Sequence, residues 1–461
     1  MLTKEDNEIL TRVGPGTPMG NLLRRYWTPA LLSNEVPEPD SPPVRVRILG
    51  EDLVAFRDSN GDVGLFPQAC PHRGASLFFG RNEEAGLRCV YHGWKFDTAG
   101  ACVDMPSEPA ESNFKTKVRI NAYPTKESGG LVWAYFGPPE KQPLFRDFGS
   151  ESVPKEQWQA FKATALCNWV QRNEGQIDSS HISWLHQYFG ALDYPDDGTD
   201  VAGGYPSFDM SIKIWAYDRA PRLELENDWF GYRYAAIRNT PNGNTHVRIT
   251  AYVPPYTTIV ANIPWATGGV HCVPVDDEKC FFFFGARNST EADVIARRLA
   301  GVEGKQLFDN TPYRRPRDLS QMENRNGVRN FLPENDYQID RELQQTKFYT
   351  GITDFGSQDL MATESMGKIY DRTQEHLGTT DKAVIRMRQI LISAAKDIEK
   401  GIEPPAIDGS LSYDTIRSGE KILGPGEDWR IVGSDQDPLL LKAQQMAQAE
   451  PAEVPVSGGG S

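Results

Sequence analysis

Cys70-Pro71-His72-Arg73-Gly74 and Cys89-Val90-Tyr91-His92-Gly93-Trp94 concentrate metal-binding side chains into two short stretches. Each sets one cysteine and one histidine on a tight loop, as C-x-H and then C-x-x-H. Soft thiolates combined with borderline imidazoles suit iron or zinc. With both thiolates on one metal and both imidazoles on a second, Cys70, His72, Cys89 and His92 would hold a two-iron cluster of mixed ligation. Histidines in that role raise the reduction potential. A structural zinc is the alternative, although zinc modules usually keep their cysteines and histidines in separate halves.

A second stretch with chemistry runs from Cys167 to His186. It reads as helix-compatible, with Gly175 the one breaker. Asp178 and His181 are three apart, which puts them on one helical face. His181 and His186 are five apart, about 140° around a straight helix axis. They can share a metal only where the helix ends or bulges between them. Two histidines and a carboxylate on one face of an octahedron form the facial triad of non-haem Fe(II). The plainer alternative is a pair of solvent-facing histidines on an amphipathic helix. Spacing does not select a carboxylate among 63 acidic residues.

The elements that must position these groups are legible in part. Val44, Val46 and Ile48 alternate with Arg45 and Arg47, the pattern of a half-buried strand. Leu53 to Arg57 and Val63 to Phe66 read as strands joined through Asn60-Gly61, a favoured hairpin turn. The two Cys/His loops follow at hairpin tips, and Leu131 to Phe136 closes a small β domain before Gly137-Pro138-Pro139. Further on, Arg222 to Asn227, Tyr232 to Arg238, Val247 to Val253, Thr257 to Ile263 and Cys280 to Phe284 read as strands, with Asn242-Gly243 a second hairpin turn. Ser289 or Thr290 is placed to cap a helix through Ala300. Residues 304–335 look loop-rich. Val384, Met387, Leu391, Ala394 and Ile398 recur at helical spacing between Thr380-Asp381 and Gly401. A sheet followed by helices makes the fold class α+β. The division is an N-terminal helix and small β domain in residues 1–145 (core about 40–140), a larger domain in 146–425, and an extended, poorly ordered tail in 426–461. Gly14-Pro15-Gly16-Thr17-Pro18-Met19-Gly20 imitates a dinucleotide loop, but its spacing and prolines are wrong for one. It reads as a structural turn, so the chain itself is not expected to bind NADH.

The chain has 461 residues and a formal net charge of −14. That balance opposes nucleic-acid binding, which wants a basic face, while leaving room for an anionic ligand in a locally positive pocket. Six scattered cysteines make no disulfide framework, which fits a reducing cytoplasm. The acidic, polar N-terminus is unlike a signal peptide, and no apolar run approaches membrane-spanning length.

The two Cys/His stretches resemble the Rieske domain of ring-hydroxylating oxygenases. Asn168-Trp169 through His186, and Gln358-Asp359 through Asp371-Arg372-Thr373-Gln374-Glu375-His376-Leu377-Gly378, resemble the phthalate dioxygenase branch of that family. The likeness extends to about residue 400. It implies a Rieske [2Fe-2S] cluster on Cys70, His72, Cys89 and His92, and a catalytic domain of helix-grip type. It also implies a mononuclear Fe(II) on His181 and His186 with Asp359 as third ligand. By the same resemblance Asp178 bridges His92 of one subunit and His181 of the next, in a head-to-tail trimer or stacked hexamer. Asn173-Glu174-Gly175 departs from the Glu-Asn that many relatives carry there, which weakens any transfer of substrate preference from naphthalene-type enzymes.

The resemblance implies the terminal oxygenase component of a multicomponent system. A separate flavin and iron–sulfur reductase would bring electrons from NADH, and O2 would be used on an aromatic acid. The outcome is either ring dioxygenation or O-demethylation of a methoxylated or biaryl acid. A carboxylated substrate wants arginine in its pocket, and Arg222, Arg238 and Arg248 are the candidates from the sheet region. The competing class is a Rieske electron carrier with no catalysis of its own.

Overall fold

Val46 and Ile48 are buried while Arg45 and Arg47 face solvent, so Val44–Ile48 is a strand with one wet face. It pairs antiparallel with Glu51–Arg57, which pairs with Val63–Pro67. At the Asn60-Gly61 turn Gly61 takes φ +91°, and the Asp58 carboxylate accepts the N–H groups of Asn60 and Asp62. The computed structural model describes residues 1–146, 148–149, 160–193, 204–261, 265–266, 268–284, 291–300, 330–405, 407 and 412–449.

A second small sheet consists of Arg81–Asn82, Leu87–Arg88, Lys95–Phe96 and Cys102–Asp104. Its central hairpin carries the Cys89 loop, and a bridge between Ala69 and Ser76 closes the Cys70 loop. Val54, Phe56, Phe66, Leu77, Leu87, Trp94 and Phe96 pack with Cys70 and Cys89 into one apolar cluster beneath both loops. A third sheet, Trp27–Leu32, Leu131–Tyr135 and Thr125–Ser128, completes this all-β part.

The larger part is an antiparallel sheet ordered Phe161–Ala165, Cys280–Phe284, Val270–Pro274, Thr257–Ile259, Thr245–Val253, Gly231–Asn239, Arg222–Asp228. The strand Ser418–Leu423 also pairs with Thr245–Val253, matching His246 with Ile422 and Arg248 with Glu420. Helix Trp169–Ile177 packs against this sheet, Phe355–Glu364 packs on Trp169–Ile177, and Lys382–Ile398 packs beside Arg222–Asp228. The fold is α+β, as its sequence pattern indicates.

Several local expectations change. The Gly14–Gly20 run is a turn that starts a short helix, Pro18–Leu23, capped by the Thr17 hydroxyl. A Cβ at Gly20 would lie 2.2 Å from the Gly14 carbonyl oxygen. This helix and Lys4–Thr11 both pack on Lys382–Ile398, while Arg24 at the helix end bonds the Leu49 carbonyl and Glu51, so the N-terminus touches both the larger domain and the small sheets. Phe208–Tyr217 is a helix in a stretch the sequence pattern left unassigned. Ser418–Leu423 was missed because its buried residues include Ser418 and Glu420, which give no apolar alternation. The expected tail from residue 426 is corrected as far as Ala449. Trp429 is buried, and helix Pro438–Ala449 packs on Glu291–Leu299 through Leu440 and Ala443. Residues 450–461, the proposed Ser289/Thr290 cap and most of the loop-rich stretch lie outside the described residues.

Candidate functional site

The two Cys/His loops share one design. In each, a glycine four positions after the cysteine adopts φ +78° and returns its N–H to the cysteine carbonyl, Gly74 to Cys70 at 2.8 Å and Gly93 to Cys89 at 2.9 Å. Each cysteine N–H donates across the loop base, to the carbonyls of Ala75 and Trp94. Both cysteines are buried at the base of their loops. The His72 and His92 rings lie 4.4 Å apart between centroids. Trp94 stacks on His72 at 4.3 Å and anchors its own Nε1 on the Ser107 hydroxyl.

Burial pushes the Cys70 thiol up to about 11. A buried thiolate needs a cation beside it to form at neutral pH. His72 Nδ1 is buried and has no hydrogen-bond partner. Two buried thiols and two adjacent imidazoles on paired loops, one with an orphaned ring nitrogen, fit a [2Fe-2S] cluster of mixed ligation.

The second group is assembled by a helix end. Trp169–Ile177 stops at Asp178, whose backbone is extended at φ −75°, ψ 128°. The Asp178 carboxylate accepts the N–H groups of Ser180 (2.7 Å) and His181 (3.3 Å), and a 3-10 turn, His181–Ser183, follows. Asp178 and His181 are thus neighbours through a capped turn rather than through a shared helical face. Since the helix is over before either histidine, the 140° objection disappears. His181, His186 and Asp359 each offer a ligand atom, all within 4.8 Å of one another. His186 Nε2 is 3.1 Å and His181 Nε2 3.6 Å from Asp359 Oδ1.

Asp359 comes from helix Phe355–Glu364, whose N-cap Asp354 accepts the Ser357 N–H. The neighbouring Gln358 is fully buried. Its Nε2 donates to the Ile352 carbonyl at 2.7 Å, so its Oε1 faces His186 Nδ1, also at 2.7 Å. The Nδ1 must carry the proton, which leaves Nε2 bare toward Asp359. Phe355 stacks on the same ring at 3.6 Å. Burial opposes a charged Asp359, yet His186, Arg172 and His181 together hold its carboxyl well below the usual range. Burial likewise lowers His186, while Asp178 and Asp359 outweigh burial at His181 and raise it. A 2-His-1-carboxylate set of this kind fits a mononuclear Fe(II). Gln358, Phe355 and Arg172 were not assigned roles from sequence. Their proximity arises from packing and has no spacing signal.

The arginine candidates divide. Arg238 is buried, with Nη2 donating to the Ser179 carbonyl and Ser183 hydroxyl and Nε to the Asp218 carbonyl. Burial, then Arg248, lowers its pKa to about 10. Arg248 Nη1 donates to the Ser179 hydroxyl at 2.7 Å. Both therefore grip the segment that presents His181. Arg238 Nη1 and Arg248 Nε have no partner. Arg222 is corrected. It is exposed on an edge strand, ion-paired with Glu224, and lines a hollow with Trp429 and Arg430 away from the metal ligands.

Comparison with known proteins gives two family matches, a Rieske [2Fe-2S] domain over residues 26–124 and a LigXa C-terminal domain-like region over residues 134–451. The chain is 39% identical to the phthalate 4,5-dioxygenase oxygenase subunit of Pseudomonas putida, covering 93% of this chain and 94% of that one. It is 37% identical to the 3-chlorobenzoate-3,4-dioxygenase oxygenase subunit of Comamonas testosteroni, covering 93% and 97%. The 5,5'-dehydrodivanillate O-demethylase oxygenase subunit of Sphingobium sp. is 33% identical, covering 90% and 87%. Among solved structures, dicamba monooxygenase bound to dicamba shares the fold at TM-score 0.52 and 19% identity, over 83% of this chain and all of that one.

Proposed function

The chain belongs to the Rieske oxygenase family, as a terminal oxygenase subunit with a LigXa-C-like catalytic domain, and from that premise we propose that it hydroxylates an aromatic carboxylic acid. The observation that carries the acid is the pair Arg238 and Arg248, which are buried against the His181 segment with N–H groups unmatched. A buried guanidinium without its full set of acceptors is costly, and a carboxylate is its natural bidentate partner.

Cys70, His72, Cys89 and His92 hold the cluster, and His181, His186 and Asp359 hold the mononuclear iron. When bound, the cluster supplies single electrons and the iron supplies dioxygen activation. Gln358 keeps the His186 proton on Nδ1 and so frees Nε2 for metal. Asp178 lies 3.4 Å from His181 Nδ1 and acts on that ring in the same sense. We assign its further lone pairs to His92 of a neighbouring copy, in a trimer or stacked hexamer. Val90, Tyr91 and Phe114 are exposed around the cluster loops, a surface suited to a flavin and iron–sulfur reductase that draws on NADH in a reducing cytoplasm. Among the described residues no helix is long and apolar enough to cross a membrane.

Phthalate-like ring dioxygenation is the primary reading. O-demethylation of a methoxylated or biaryl acid is the second, supported by the 33% identity to an O-demethylase subunit. The test supplies reductase, NADH and oxygen with phthalate, methoxybenzoates and biaryl acids. Acid-dependent oxygen uptake is expected, and released formaldehyde identifies demethylation. Uptake that ignores every acid, or turnover unaffected by Asp359→Ala, overturns the proposal. An electron carrier would bind about two irons per chain, against about three here.

A further inference from the structure

The sheet face that carries the two arginines also carries a buried histidine with one side unmet. His246 lies directly opposite Arg238 in the pairing of Gly231–Asn239 with Thr245–Val253. Arg248, two residues along the same strand, lies opposite Glu420. Residues at these positions project to one face, because side chains alternate along a strand. His246 Nε2 is 2.8 Å from Glu420 Oε1, and Trp215 Nε1 donates to the same oxygen at 3.2 Å. Both partners are almost wholly enclosed. His246 Nδ1 is buried with no hydrogen-bond partner.

The proton on the imidazole can be placed. Glu420 takes the indole donor and sits in the field of His246 and Arg248, which outweigh burial and keep it ionised. An ionised carboxylate needs a donor, so Nε2 carries the ring proton. Burial, with Arg238 and Arg248 nearby, disfavours a second one. Nδ1 is thereby left as a lone pair. The face offers unmatched donors on Arg238 and Arg248 and an unmatched acceptor on His246. A ligand bearing only carboxylates satisfies the arginines and leaves Nδ1 unmet. A ligand bearing a carboxylate and a hydroxyl satisfies both.

We propose that His246 Nδ1 is a specificity-determining acceptor for a ring hydroxyl, so that the preferred substrate is a hydroxylated aromatic acid. Glu420 is the positioning residue that fixes the ring proton on the far side. This rests on reading Arg238 and Arg248 as the carboxylate site.

The test measures dissociation constants of the oxidised holoenzyme for benzoate and for 2-, 3- and 4-hydroxybenzoate by calorimetry. The four probes share one anion and differ by one hydroxyl. At least one hydroxy isomer should bind about tenfold more tightly than benzoate, the scale of one good hydrogen bond. His246→Leu should level the series and leave benzoate within about twofold. Glu420→Gln presents the same oxygen to the indole and to the Nε2 proton and should keep the preference, whereas Glu420→Leu, which frees the ring proton to sit on Nδ1, should shrink it several-fold without removing the ring. The proposal is overturned if wild-type enzyme binds all four acids alike, or if the preference survives His246→Leu. Should His246→Leu fail to fold, the wild-type series and Glu420→Leu still decide. Failure of the carboxylate reading looks different: Arg248→Met would leave benzoate binding unchanged, and both ideas would fall.

Discussion

Replacing Gln358 tests whether the mononuclear site depends on a bond one step removed from the metal. Gln358→Leu removes the acceptor from His186 Nδ1 and the donor to the Ile352 carbonyl, both at 2.7 Å and both buried. Losing the partner that fixes a ligating histidine costs about 10–100-fold in metal affinity, or about 1.4–2.8 kcal/mol. Phe355 still stacks on the imidazole at 3.6 Å and 13°. The ring plane is therefore kept and the tautomer is what is lost, which places the effect near the lower end, about tenfold. The assay strips the mononuclear iron with a chelator while the visible spectrum of the cluster is monitored, then titrates Fe(II) back anaerobically against a competing chelator. Gln358→Glu keeps the acceptor oxygen and should retain metal affinity, while burying a charge at some cost in thermal stability. An affinity within twofold of wild type for Gln358→Leu would refute the reasoning. Equal losses in both variants would do so too, because packing rather than the bond would then be responsible.

Glu174 is enclosed between Arg372 at 2.9 Å and Arg388 at 2.6 Å; Arg388 also pairs with Glu375, so Glu174→Ala leaves the enclosed Arg372 guanidinium uncompensated and should cost about 3 kcal/mol, read by denaturant unfolding. Burial opposes the Glu174 charge, but the two arginines outweigh it and hold its pKa below the ordinary glutamate value. Its contribution is therefore complete above that ordinary value and is lost as pH falls through the lower folded value. Acid unfolding of wild type should be steeper than that of Glu174→Gln. Gly93→Ala must adopt φ +78° and place its Cβ 2.6 Å from Pro106 Cγ, so iron–sulfur content should fall; Gly61→Ala, at φ +91° with open space around it, should lose about 1–2 kcal/mol of stability and keep its cluster. Arg248→Met should raise KM for an aromatic acid about tenfold or more, while Arg222→Ala leaves it within about twofold, as steady-state oxygen uptake would show.

The small β part was legible because its signals are local. Arg45 and Arg47 alternate with apolar neighbours, Asn60-Gly61 turns within two residues, and each cluster loop carries its thiol, its imidazole and its left-handed glycine inside five positions. The long helix Lys382–Ile398 announced itself by period and by Asp381 at its start. Phe208–Tyr217 and Ser418–Leu423 did not. The first alternates Asp209, Ser211 and Lys213 with Phe208, Met210, Ile212 and Ile214, a strand-like period that hides its helix, and the second becomes a strand through the partners it meets at Arg248 and His246.

What the sequence determined by itself is the stock of ligands and the loops that hold four of them, since backbone turns of a few residues settle where those side chains point. What only the tertiary structure decided is which distant groups those ligands meet. Gln358 reaches His186 across 172 residues, Glu420 reaches His246 across 174, and Arg238 and Arg248 turn toward Ser179 while Arg222 turns to solvent. Such choices follow from sheet register and helix packing, in which one face of a strand is enclosed and the other is not. No spacing along the chain carries that information, because burial is a property of the neighbours and not of the residue.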